Sequence, residues 1–232
     1  MTKKKLQRFA EMETFGNVIQ TTFNEVYGKN HPLKGNWRKK VFKNDNPLIL
    51  ELGCGKGEYT IELARRNPGT NFIGVDIKGA RIWKGAKTAL QENLDNVRFL
   101  RTRIEVIDSF FSDNEINEIW VTFPDPQLKK KRKRLTSSRF LNRYSGFLRV
   151  GGLIHLKTDN SVLFLYTLKL AEQNNFDILF QTGDLYHSDI NDDVLHIKTY
   201  YEKGFLEQGM SIHYLCFKLS HETEIQEPEF ED

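Results

Sequence analysis

From Pro47 onward, short apolar runs alternate with segments of helical period. "LILEL" (48–52), "NFIGVDI" (71–77), "VRFLRT" (97–102), "EIWVTF" (118–123) and "LIHLKT" (153–158) read as strands. Between them, 58–66, 79–93, 138–150 and 161–174 carry helical patterns, the third stopped by the Gly151-Gly152 pair. Strands at regular spacing with helices between them predict a parallel, doubly wound α/β sheet. "FDILFQT" (176–182) and "SIHYLCFKLS" (211–220) are strand-like with no helix between them, which predicts an antiparallel pair at one edge. "IKTYYEKGF" (197–205) is too polar for a core strand. The pattern before Pro47 is polar and basic, with one helix expected over 14–27. The chain thus divides into a basic extension (1–46), one α/β domain (47–220) and an acidic tail (221–232) expected to be disordered for want of anything to bury.

The 232 residues are 39% hydrophobic and 28% charged, the balance of an ordinary globular domain. No apolar run reaches the length of a bilayer span, no signal-peptide pattern opens the chain, and Cys54 and Cys216 have no metal-ligand spacing. A cytoplasmic protein with neither membrane nor metal partner is expected. The six acids of the tail mask a basic body: without them the net charge rises from +3 to +9. Such a body suits an anionic partner, although a solubilising tail on a slightly basic enzyme has the same composition.

Candidate chemistry starts at "ELGCGKGEYT" (51–60), between the first strand and the first helix. Gly53, Gly55 and Gly57 allow a tight turn and close approach of the backbone to a ligand. Asp76 ends the second strand, where an acid accepts hydrogen bonds from both hydroxyls of a ribose. The spacing is G-x-G-x-G rather than the dinucleotide G-x-G-x-x-G, and Glu51 and Glu58 flank it. Carboxylates repel a pyrophosphate but attract an ammonium or sulfonium, which favours S-adenosyl-L-methionine over a nicotinamide dinucleotide. Cys54 reads as a small filler of this loop.

The fourth strand runs into "FPDPQLKKKRKRLTS" (123–137), with Asp125 held between two prolines and six consecutive cations from Lys129 to Arg134. A rigid carboxylate suits a site beside a sulfonium, and equally a turn. The cations suit phosphates, a solvated face or a localisation signal.

Taken in order, "ELGCGKGEYT", "GVDIKGARI", "FPDPQLKKKRKRLTSSRFL", "GGLIHLKTDN" and "TYYEKGF" resemble the bacterial single-chain tRNA (guanine-N7-)-methyltransferase family over roughly residues 47–218. The resemblance implies a Rossmann-like class I methyltransferase with a mostly parallel seven-stranded sheet and an antiparallel edge strand. It implies S-adenosyl-L-methionine as cofactor, N7 of guanine 46 in the tRNA variable loop as acceptor, and a monomer or homodimer. On the same ground Glu51, Gly53, Gly55, Gly57, Asp76 and Asp125 line the cofactor site, with Asp125 also catalytic. Lys129, Asp159, Thr199, Tyr200, Tyr201 and Glu202 serve the RNA. Two positions depart from the family pattern. Arg103 stands where a cofactor-contacting Asp or Asn is usual, so a backbone carbonyl or Glu105 would have to accept the adenine amino group. Gln127 stands where tryptophan is usual.

Guanine N7 is an unprotonated lone pair, so alignment matters more than a general base. Reading the opposite edge of guanine takes acceptors, for which Asp159 and Glu202 are suited; Asp159 also suits a helix N-cap before Ser161. The competing readings are a non-catalytic RNA-binding relative and a nicotinamide-dependent oxidoreductase, the latter lacking a hydride-transfer partner.

Overall fold

The computed structural model describes residues 3–190, 192–220 and 223–229. The chain has two units, Met1–Ser112 and Asp113–Asp232. Among the described residues eight strands make a mostly parallel sheet with an antiparallel edge. Among the described residues no helix is long and apolar enough to cross a membrane.

The first unit contains α1 (Lys3–Glu13), β1 (Val18–Gln20), α2 (Phe23–Val26), β2 (Leu48–Leu52), α3 (Glu58–Arg66), β3 (Asn71–Asp76), α4 (Gly79–Gln91) and β4 (Val97–Arg101). Its strands run parallel in the order β1-β4-β3-β2. β2 and β3 are buried along their whole length, as the near-continuous apolar runs of a covered parallel sheet require.

The segment before Pro47 is part of this unit rather than an arm beside it. The helix expected over 14–27 is instead β1 and the short α2, because Val18 and Ile19 pair with Phe99 and Leu100 along the open edge of β4. Tertiary pairing thus overrides a weak helical pattern and adds an eighth strand to the seven expected. Trp37, fully buried, donates its indole N–H to the Phe110 carbonyl at 2.9 Å and stacks on Phe111. In α1, Glu11 accepts from the Trp83 indole at 2.7 Å and pairs with Lys87 at 2.6 Å, both on α4.

The second unit contains β5 (Ile116–Thr122), α5 (Ser138–Tyr144), β6 (Leu148–Thr158), α6 (Ser161–Gln173), β7 (Asp177–Thr182), α7 (Tyr200–Glu207) and β8 (His213–Lys218). β5 and β6 are parallel, and β8 runs antiparallel between β6 and β7, as the missing crossover helix predicts. The glycine pair expected to stop a helix lies inside β6, where the register against β5 shifts and Gly151 takes φ of 70°. It marks a bulge, so α5 ends at Tyr144 and the strand begins early. The segment too polar for a core strand supplies α7.

The acidic tail departs from expectation. Residues 223–229 pack along α5 and α6, with Ile225 and Pro228 buried; 221, 222 and 230–232 lie outside the described residues.

A buried polar cluster crosses the sheet of this unit. His155 stacks on Trp120 with centroids 3.9 Å apart, sits 2.8 Å from the Tyr214 hydroxyl and faces Glu118 at 3.3 Å. Burial opposes a charge on this ring, but the neighbouring Cys216 and Glu118 outweigh it and raise its pKa to about 9. A histidine raised above its unfolded value of about 6.5 contributes stability below that pH and loses it as pH rises through the folded value. Urea midpoints of the wild type should therefore fall between about pH 7 and pH 10, more steeply than those of His155→Gln. Parallel pH profiles would contradict this assignment.

Candidate active site

In the first unit the site is built from strand ends. The glycine loop leaves β2 and turns at once: Gly53, Gly55 and Gly57 have φ of 78°, 56° and 70°. Gly57 has no room for a side chain, since a Cβ there would lie 2.5 Å from the Phe99 ring. The Gly53 and Cys54 N–H groups donate to the Val75 carbonyl, Gly57 to Cys54, and Gly55 to Asp76 Oδ2 at 3.0 Å. These amides are satisfied inside the protein, so the loop does not present them as a pyrophosphate cradle. Asp76 Oδ1 accepts from the Lys78 N–H at 2.7 Å. Each carboxylate oxygen is thus fixed by one backbone donor and retains lone-pair capacity for a hydroxyl.

Beyond the ends of β1, β3 and β4 lies a cleft of about 240 Å³, lined by Thr21, Thr22, Phe23, Ile77, Arg101, Thr102 and Arg103. Ile77, directly after Asp76, is half exposed and offers an apolar face. Arg103 holds its guanidinium over the Phe23 ring at 5.3 Å. It therefore lines the cleft as a planar cation on an aromatic wall, where the sequence pattern leads one to look for an acceptor. Glu51 is buried and accepts from the Thr60 hydroxyl of α3. Burial, with Glu51 and Asp76 nearby, pushes the Cys54 thiol well above its ordinary pKa, which suits a filler and not a nucleophile.

The second unit carries the remaining predicted residues. Phe123, at the end of β5, takes φ of 47°, unusual for a bulky side chain, and packs near Phe205. The strained backbone opens the F-P-D-P turn, where exposed Asp125 accepts from the Gln127 N–H at 3.0 Å. Gln127 also takes a positive φ, 48°. Lys129, Lys130, Arg132 and Lys133 are exposed and Lys131 half-buried, whereas Arg134 is fully buried. The run of six cations is thus five side chains toward solvent and one inside.

At the end of β6 the cap of α6 is Asn160, whose side chain accepts from the Leu163 N–H at 2.8 Å. The capping role open to Asp159 in the sequence falls to its neighbour. Asp159 is half-buried, and burial raises its carboxyl pKa.

Glu202 is not placed as an open acceptor. It has no exposed surface, pairs with Lys157 at 2.7 Å and accepts from the Tyr186 hydroxyl at 2.6 Å. Thr199 and Glu202 also form a capping box at the start of α7, the Thr199 hydroxyl accepting from the Glu202 N–H at 3.2 Å. Lys157, itself fully buried, donates to the Leu195 and Ile197 carbonyls at 2.6 and 3.0 Å. The ion pair therefore ties β6 to α7, and the same lysine holds the segment that leads into it. Tyr200 and Tyr201 stand exposed at the helix start as an edge-to-face pair with centroids 5.8 Å apart. Sequence reading missed Lys157 and Tyr186. The signals were a lysine within an apolar strand, which needs a buried acid, and the Thr-x-x-Glu spacing of a capping box.

A family model described as "Putative methyltransferase" matches residues 45–215. A tRNA (guanine-N(7)-)-methyltransferase of Bacteroides fragilis is 52% identical over 231 residues, covering 100% of this chain and 92% of that protein. One from Porphyromonas gingivalis is 50% identical and covers 95% and 92%. Among solved structures, the 16S rRNA methyltransferase KamB superposes with a TM-score of 0.61 at 15% identity, over 82% of this chain and 95% of that one. That likeness shows a shared class I methyltransferase fold. The full-length identity shows more: the chain belongs to the tRNA (guanine-N(7)-)-methyltransferase family.

Proposed function

We propose that this chain transfers a methyl group from S-adenosyl-L-methionine to N7 of a guanine in tRNA, at variable-loop position 46. The observation that carries the reading is Asp76, fixed by two backbone donors at the end of β3 and followed by Ile77 in the adjoining cleft, in a chain that matches such enzymes along its length. Asp76 would hold the ribose hydroxyls, the cleft beside Ile77 and Thr102 the adenine, and Glu51 the cationic end. Bound there, the cofactor supplies an electrophilic methyl group on a sulfonium.

The chain's own work is orientation and charge. N7 carries no proton at neutral pH, so no residue has to act as a base. Methylation leaves the guanine ring positively charged, and the exposed carboxylate of Asp125, held by its prolines and by the Gln127 N–H, offsets that charge. Asp159 offers an acceptor for the Watson–Crick edge of the base. Tyr200 and Tyr201 offer faces for stacking, and the Lys157–Glu202 pair with Thr199 holds the backbone that presents them. Incubation with unmodified tRNA and nuclease digestion should yield N7-methylguanosine; a methyl group on any other guanine atom or base would overturn the reading.

Lys129 to Lys133 supply phosphate contacts, which give affinity and salt dependence but little sequence reading. Changing Lys130, Lys131, Arg132 and Lys133 to glutamine should lower the slope of log K against log salt by about one for each phosphate left without its cation. Affinity for S-adenosylhomocysteine should stay as in the wild type. An unchanged slope would remove these side chains from the interface.

A further inference from the structure

The last cation of the run and the acidic tail belong to one internal chain of contacts. Arg134 has no exposed surface. Its Nε–H donates to the Pro126 carbonyl at 3.1 Å, and its guanidinium lies 4.3 Å over the ring of fully buried Tyr166 in α6. The Tyr166 hydroxyl donates to Glu227 of the tail, whose other oxygen accepts from the Ser138 N–H at 3.2 Å and hydroxyl at 2.7 Å.

The tail is held in register independently of that carboxylate. The Asn142 amide donates to the Ile225 carbonyl and accepts from its N–H, both at 2.9 Å. Asn174 does the same for Gln226, at 2.9 and 2.7 Å. Asn142 on α5 and Asn174, directly after α6, thus pair both backbone groups of consecutive tail residues, as a neighbouring strand would.

We propose that Arg134 is a positioning residue for the Asp125 turn and that the 223–229 segment is the strap that sets it. Glu227 orients Tyr166, Tyr166 supports the flat face of Arg134, and Arg134 fixes Pro126, the residue after Asp125. Glu227 of the tail therefore acts on the reaction through the F-P-D-P turn, and Arg134 does not grip phosphate. The chemistry favours arginine over lysine at this position: only a guanidinium can lie flat on a ring and donate from Nε in its plane.

This inference rests on the methyltransferase reading, so its test carries one readout that does not. Full-length Arg134→Lys, Tyr166→Phe, Glu227→Gln and the last two combined would be compared for kcat, KM for tRNA and the salt slope of tRNA binding. Amide hydrogen exchange over 123–130 would be followed in the same proteins without substrate. Arg134→Lys should lower kcat about tenfold or more, as displaced catalytic groups do, with KM and salt slope unchanged and exchange at Gln127 faster. Glu227→Gln and Tyr166→Phe should give smaller losses of the same kind, and the double variant should lose no more than the larger of them. A raised KM with a shallower salt slope in Arg134→Lys would make Arg134 a phosphate contact and overturn the proposal. Unchanged exchange across 123–130 in all variants would overturn it too, whether or not the wild type methylates tRNA.

Discussion

Replacing Asp76 with asparagine is expected to weaken binding of S-adenosylhomocysteine by about a hundredfold or more. Both carboxylate oxygens are already aimed by backbone donors, Gly55 on one side and Lys78 on the other. A bound ribose would add one or two hydrogen bonds to a charged acceptor, each worth about 1.5–3 kcal/mol. The amide of asparagine can accept at only one end, so one backbone donor and one hydroxyl lose their partner together. Titration calorimetry on the wild type and Asp76→Asn reads this directly. A change below about threefold would mean that the ribose sits elsewhere, since even one charge-assisted bond exceeds that effect.

The second large effect is on stability. Glu202→Ala leaves the Lys157 ammonium fully buried without its carboxylate, a change that typically costs about 3–5 kcal/mol. Burial already lowers the Lys157 pKa, with Glu202 acting in the opposite direction, so loss of the carboxylate removes what favours the charged amine. Lys157→Met combined with Glu202→Gln should recover about half of the loss, because no unpaired charge remains and Tyr186 keeps an acceptor. Urea midpoints would measure both steps. The same pair of variants separates two roles for Glu202. If it acts by holding the start of α7, methyl transfer should return with stability in the double variant. If it reads guanine directly, activity should stay lost while stability recovers.

The parallel core was legible because β2, β3 and β4 are short apolar runs bounded by turn residues, a pattern that depends on local sequence alone. The glycine loop and Asp76 were legible for the same reason, since strand–turn–helix order fixes where they fall. β1 was not: Val18 and Ile19 become a strand only because β4 leaves an edge for them, and their partners there are 81 residues away in the chain. The Gly151-Gly152 pair has two meanings, helix stop or bulge, and only the register against β5 decides.

The burial of charged residues was not legible where their partners are distant in sequence. Lys157 meets Glu202, and Arg134 lies over Tyr166, whose hydroxyl reaches Glu227 in a tail with too little apolar content to look folded. Composition does not show that Asn142 and Asn174 pair its backbone. The cap of α6 shows the limit at one-residue scale: Asp159 and Asn160 both suit it, and Asn160 takes it, leaving the Asp159 carboxyl for another role.

The measurement closest to the central claim is methyl transfer from labelled S-adenosyl-L-methionine to two unmodified transcripts, one tRNA with its variable-loop guanosine 46 and the same tRNA with adenosine there. Incorporation should approach one methyl group per molecule of the first and stay at background in the second. Equal incorporation into both would contradict the claim.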